Sequence, residues 1–218
     1  MRRETIHAVL AILKQEAAQL AVPVVGKIAD ETKNPYFVLI SCIISLRTQD
    51  AVTAAASERL FLLASSPREM VILLPNQIEK AIYPASFYRN KTKQILTLSQ
   101  TLLDLYDGQV PDTMESLLSL SGVGRKTANL VLTVAFHKSG ICVDTHVHRI
   151  SNRLGWIKTK TPEESEVALR ETLPKKYWIT YNDILVPYGQ FICRPISPFC
   201  SRCKVNMDCD KIGVLKSR

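Results

Sequence analysis

Leu118-Ser-Leu-Ser-Gly-Val-Gly-Arg-Lys-Thr-Ala128, an apolar run, and then Val143-Asp-Thr-His-Val-His-Arg149 are the segments on which the reading of this chain turns. In the first, Leu120-Ser-Gly-Val-Gly124 joins two helical stretches, about 112–120 and 124–137, through a tight turn. Glycines at 122 and 124 allow positive φ and the close approach of another molecule. A turn that opens a helix also aims backbone N–H groups outward, where a phosphate binds without sequence information. Gly122, Gly124, Arg125 and Thr127 are therefore candidate contacts to a nucleic-acid backbone, although two glycines alone also suit an ordinary helix connection. In the second segment Asp144 starts a new helix as its N-cap. Lys126 and Asp144 form the candidate chemical pair. A lysine amine attacks only when neutral, and a carboxylate can move protons. Each also has a plainer reading, Lys126 as a solvated or phosphate-binding cation and Asp144 as a simple cap.

Outward from these segments the pattern is helical. Ile6, Val9, Leu10, Leu13, Ala17 and Leu20 recur at helical spacing over 5–21. Residues 22–34 read as loop. The run Pro35-Tyr-Phe-Val-Leu-Ile-Ser-Cys-Ile-Ile-Ser-Leu46 is too long for a typical strand and favours a buried helix. Helix follows over 51–61. Ser66-Pro-Arg-Glu69, Asn76-Gln-Ile-Glu79, Asp112-Thr-Met-Glu115 and Thr161-Pro-Glu-Glu164 each place a capping residue three before a glutamate. A long amphipathic helix spans 86–106 and stops at Gly108. A last helix near 180–192 contains Pro187. No stretch alternates as a strand bounded by hairpin turns does, so the fold class expected is all-α.

The chain has 218 residues and a formal charge of +8, with 46% hydrophobic and 22% charged residues. This is globular composition with room for one large domain or two small ones. A basic surplus suits a polyanion partner. No apolar run approaches the ~20 residues of a membrane span, and no secretion or transit signal is read at the start. A cytoplasmic protein is expected. Four of its six cysteines, Cys193, Cys200, Cys203 and Cys209, crowd together near the end. Without a secretion signal such clustering favours metal over disulfides. Zinc and a [4Fe–4S] cluster both take four thiolates, and with only one close Cys-x-x-Cys pair the spacing leans to iron–sulfur. Cys42 and Cys142 read as buried spectators.

Taken together, LSGVGRKTANLVLTVAF, VDTHVHRISNRLGW and the C-x6-C-x2-C-x5-C spacing resemble the endonuclease III family of DNA glycosylases, over nearly the whole chain. Ser121 stands where that family's hairpin has proline. The resemblance implies two α-helical domains with a DNA-binding cleft between them. One is a continuous six-helix domain, 27–138; the other combines 1–26 with 139–218 and carries a [4Fe–4S] cluster on the four cysteines. It implies that Lys126 attacks C1′ of a damaged nucleotide with help from Asp144, and that the strand is then nicked by β-elimination. The partner implied is double-stranded DNA bearing oxidised pyrimidines or abasic sites, met by a monomer. A glycosylase must flip its target out of the stack. Arg47-Thr-Gln-Asp50 and Ser86-Phe-Tyr-Arg-Asn-Lys91 match loops that enter the duplex in the family; Phe87 is the candidate wedge, Arg89, Asn90 and Lys91 are candidate phosphate contacts, and Arg47 and Gln49 are expected DNA contacts. A glutamine is common where this chain has Arg47. His146 and Arg149 are expected at the lesion pocket or a phosphate. Arg194, Arg202 and Lys204 make the cluster loop basic, a surface for DNA. Two alternatives stand beside this reading: a glycosylase for mismatched or other damaged bases, and a catalytically silent iron–sulfur DNA-binding protein.

Overall fold

A computed structural model describes residues 3–20 and 23–218. The reading of Met1-Arg2 and the helix boundary at 21–22 lie outside the described residues. No strand occurs among the described residues, and the elements are helices throughout. The chain divides into two compact units, 24–138 and 1–23 together with 139–218.

The chain opens with α1 (Arg3–Ala17), an element of the second unit. The unit 24–138 then begins with α2 (Val24–Thr32), where the sequence reads as loop. Val24, Val25 and Ala29 are buried with Ile28 packed beside them, a one-sided stripe that Gly26 and the surrounding charges obscure. Next comes α3 (Pro35–Ser45), the helix at the centre of this unit's core. Pro35 fits the first turn, where an N–H has no helical partner anyway, and the Tyr36 N–H donates to Asn34 Oδ1 at 2.9 Å. Every residue from Val38 to Ile44 is buried, so α3 has no polar face. That is why its sequence shows no helical periodicity and only its length argues against a strand.

Against α3 pack α4 (Asp50–Leu63) and α7 (Tyr88–Tyr106), while α6 (Pro75–Ile82) packs on α4 and α7, and α5 (Pro67–Met70) packs on α7. Ser66 caps α5 by accepting from the Glu69 N–H. The start expected at Asn76 is instead at Pro75, and Gln77 Oε1 reaches back to the Leu74 N–H at 2.8 Å. The long helix α7 buries Ile95, Leu98 and Leu102 and ends through left-handed Asp107 and Gly108, whose N–H returns to Leu102 O. The hairpin helices are α8 (Met114–Ser119), capped by Thr113 rather than Asp112, and α9 (Arg125–Leu130), which runs into a π turn at Val131–Ala135. Eight α-helices occupy the described residues of this unit, three of them only four to six residues long.

In the other unit α10 (Thr145–Arg153) and α1 pack on α12 (Tyr181–Phe191), and α11 (Pro162–Thr172) packs on α10. Their core gathers Leu10, Leu13, Val147, Leu169, Tyr181 and Leu185, all essentially inaccessible. Thr161 caps α11, and Glu164 returns the bond to the Lys160 N–H. The four cysteines follow α12 in a loop with two short 3-10 turns.

Candidate active site and metal centre

In the unit 24–138, the turn between α8 and α9 is exposed at Ser121, Gly122 and Gly124. The two glycines differ in kind. Gly122 has φ +76°, and a Cβ there would collide with the side chain of Gln94. Gly124 is extended (φ −93°), so its backbone does not require glycine; a Cβ there would meet open space, and glycine leaves the approach to the turn clear. Arg125 and Lys126 follow as exposed side chains on the first turn of α9. Lys126 lies near enough to Cys42 on α3 for its charge to counter part of the burial that pushes that thiol up to about 12. Thr127, expected at the DNA surface, is only 4% exposed and belongs to the buried face of α9, so its side chain is withdrawn from that surface.

Two further turns of this unit meet. Arg47, just past the end of α3, and Phe87, just before α7, are both exposed and both left-handed, at φ 55° and 57°. For residues with a Cβ this conformation costs roughly 1–2 kcal/mol each. The Arg47 guanidinium sits 5.8 Å from the centre of the Phe87 ring. Gln49, Arg89 and Asn90 are exposed beside them. Lys91 is not: it is 4% exposed, and its ammonium donates to Ile44 O, Leu46 O and Thr48 Oγ1 at 2.6, 2.7 and 2.8 Å. It cannot meet a phosphate without leaving this socket, so the expected phosphate contact is corrected to an internal one. Thr48, not singled out in the sequence, joins the two turns, because its hydroxyl oxygen also accepts the Ser86 N–H at 3.2 Å.

In the other unit, Asp144 caps α10. Its Oδ1 accepts from the N–H groups of His146 and Val147 at 2.8 and 2.9 Å, so one carboxylate oxygen carries both cap bonds. His146 is half-buried and packs on Gly189 of α12, where a Cβ would strike the imidazole. Arg149 is turned inward. It donates to Thr145 O, Gly189 O and Cys193 O and lies 3.1 Å from His146 Nδ1. Burial lowers its basicity, offset in part by Cys193 and Asp144. Its place is thus a strut between α10 and the cysteine loop, in place of the lesion-pocket or phosphate contact expected of it. His148 is engaged with Ser165 at 2.6 Å.

Arg153, one turn further along α10, is the second strut and went unremarked in the sequence. It is 8% exposed and donates to Arg194 O and Pro195 O, both at 2.7 Å, and to Cys193 Sγ at 3.3 Å. The buried Tyr188 hydroxyl donates to Cys203 Sγ at 3.1 Å. Cys193, Cys200, Cys203 and Cys209 all line one small cavity, together with Arg153 and Phe199. Four sulfurs round a common cavity, with hydrogen bonds from Arg153 and Tyr188 directed at two of them, fit a thiolate-held metal group. Arg194 and Arg202 are exposed and flank the Phe199 ring at 5.4 and 5.5 Å, and Lys204 is exposed nearby.

A glycine hairpin followed by an exposed lysine, a capping aspartate and a four-cysteine loop on an all-helical chain define a class of DNA-repair protein, and comparison with known proteins agrees. The pattern of the HhH-GPD superfamily base excision DNA repair proteins matches residues 40–175. Endonuclease III of Thermotoga maritima is 46% identical over 177 residues, covering 81% of this chain and 83% of that one. Endonuclease III homolog 2, chloroplastic, of Arabidopsis thaliana is 42% identical over 84% of this chain, which spans half of that longer protein. A solved structure of a trapped endonuclease III–DNA covalent intermediate superimposes with a TM-score of 0.86 at 31% identity, covering 97% of each chain. The chain therefore belongs to the endonuclease III family of base-excision-repair DNA glycosylases and abasic-site lyases.

Proposed function

We propose that this protein, as a monomer in the compartment that holds the cell's DNA, removes oxidised pyrimidines from duplex DNA and nicks the strand at the abasic site. The observation that carries this reading is Lys126, exposed on the first turn of α9 directly behind the exposed Gly122–Gly124 turn. Phosphates on that turn would hold the strand, with Arg125 adding charge. The neutral Lys126 amine attacks C1′ of the flipped nucleotide, and the base leaves with the glycosidic electron pair and takes up a proton. Opening of the sugar ring gives an iminium on Nζ. Loss of a C2′ proton then expels the 3′ phosphate, and water releases the lysine. Asp144 exchanges the protons of these steps through the carboxylate oxygen that does not carry the cap.

Arg47, Gln49, Phe87, Arg89 and Asn90 are proposed to enter or flank the duplex. Cys193, Cys200, Cys203 and Cys209 would hold a [4Fe–4S] cluster, which supplies a rigid tie for the loop bearing Arg194, Arg202 and Lys204 rather than the bond-breaking chemistry. A brown protein whose thiolate-to-iron absorption band disappears in a Cys200→Ala variant would support the cluster; a colourless protein with one bound zinc would refute it. For the reaction, the protein is incubated with a thymine-glycol duplex and with an abasic duplex in the presence of borohydride. The expected result is a covalent protein–DNA adduct that Lys126→Gln abolishes while still binding abasic DNA. An adduct of undiminished yield on Lys126→Gln would sink the assignment.

A further inference from the structure

Two exposed residues hold left-handed backbones side by side, and one buried lysine lies beneath both. Arg47 follows α3 and Phe87 precedes α7, at φ 55° and 57°. Lys91 grips both turns at once. Its backbone N–H donates to Phe87 O at 3.0 Å as the first bond of α7. Its side chain crosses to the end of α3 and donates to Ile44 O, Leu46 O and Thr48 Oγ1. Thr48 Oγ1 closes the circuit by accepting from Ser86 N. All three ammonium donors are thus engaged, none by a carboxylate. The acceptors at 44 and 46 are carbonyls at a helix C-terminus, where a cation is favoured and where loss of the donor leaves buried acceptors unpaired. The hydroxyl at 48 is the only one of the three that also touches the second turn.

Backbone strain of this kind persists only where the surroundings hold it, and it concentrates where a residue must be presented in one orientation. An exposed aromatic ring with a guanidinium over it, both on strained turns, lies outside the unit's core: Phe87 is 60% exposed. Their arrangement suits insertion into a base stack, where a preset wedge avoids the cost of ordering at the moment of entry.

We propose that Lys91 is a positioning residue for base flipping: its buried ammonium locks the 46–49 and 85–87 turns together so that Arg47 and Phe87 enter the duplex as one preorganised pair. This rests on the DNA-glycosylase reading above and adds to it a buried residue that touches neither DNA nor the reacting atoms.

The test reads unstacking itself, separately from bond cleavage. Stopped-flow fluorescence follows 2-aminopurine placed beside a tetrahydrofuran abasic analogue in a duplex, with full-length, cluster-loaded protein. Lys91→Met is expected to slow unstacking by about 10- to 100-fold, as loosening a positioned group does. Thr48→Val retains the lysine and its two carbonyl partners but cuts the link to Ser86, and is expected to slow unstacking less, in the same direction. Because Lys91 acts through the wedge, Lys91→Met added to Phe87→Ala should slow unstacking little beyond Phe87→Ala alone. Parent-like unstacking in Lys91→Met, or an effect that multiplies in full with that of Phe87→Ala, overturns the inference. Should Lys91→Met fail to fold, Thr48→Val and its double variant with Phe87→Ala decide by the same criteria. The two readings fail separately. A parent protein that unstacks DNA but yields no borohydride adduct removes the lyase chemistry and leaves the clamp. One that yields the adduct without unstacking removes the clamp and leaves the chemistry. One that does neither removes both.

Discussion

At the scale of single residues, Asp144 gives one oxygen to the start of α10 and, in the proposed mechanism, keeps the other for proton exchange. The two roles separate by substitution. Asp144→Asn retains a good cap and should leave the thermal midpoint nearly unchanged, while single-turnover base excision falls by about 10²- to 10⁴-fold. Asp144→Ala should lose the same activity and in addition about 1 kcal/mol of stability by denaturant titration. Lys91 makes a different prediction. Burial holds its pKa down to about 8, whereas in the unfolded chain it titrates near ~10.4. Between these values the unfolded chain binds more protons, so this group's contribution to stability rises with pH. The difference in melting temperature between the parent and Lys91→Met should therefore shift in the parent's favour from about pH 7 to about pH 9.5; a flat difference would contradict the shift. Lys91 was nonetheless partly legible in the sequence: it shares the stripe of Ile95, Leu98 and Leu102, all buried on α7. Its charge alone points to solvent, against the periodicity.

Among the elements, α3 and α10 do the organising, by opposite means. The apolar α3 is held by its surroundings on all sides. Truncating Ile40, wholly inaccessible, should cost about 2–5 kcal/mol in chemical denaturation and, because Lys91 is anchored at the end of the same helix, should also disturb the Arg47 turn. The polar α10 works through its side chains. It begins at Asp144 and sends Arg149 and Arg153 to the carbonyls of residues 193–195, so the aspartate and the first arm of the cysteine loop share one helix. Arg153→Met should leave α10 intact yet, on the proposed cluster reading, lower the iron bound per chain and speed proteolysis within 193–209, both measurable on purified protein. The capping pattern made most helices legible, α11 best of all. It misplaced the starts of α6 and α8 by a residue or so and missed α2. Capping residues cluster where helices begin, but which of several neighbours accepts the bond is set by how the chain enters the turn.

For the whole molecule, the surplus of +8 charges sets a salt-dependent affinity for DNA. Binding should fall linearly on a log–log plot against salt, and Arg89→Ala, which removes an exposed cation at the start of α7, should reduce that slope by about one. An unchanged slope would exclude Arg89 from the phosphate contacts. Among the described residues no helix is long and apolar enough to cross a membrane, and each unit encloses its own core. What the sequence determined by itself is whatever depends on near neighbours: the helical class, the glycine hairpin, the aspartate cap and the spacing of the four cysteines. Helical period, cap and ligand spacing are all written within a few residues of one another. Only the tertiary structure decided which of the polar residues face inward. Lys91 finds its acceptors 43 to 47 positions away, and Arg149 and Arg153 find theirs about 40 away. A side chain's direction is fixed by partners that distant, and its charge alone does not announce them.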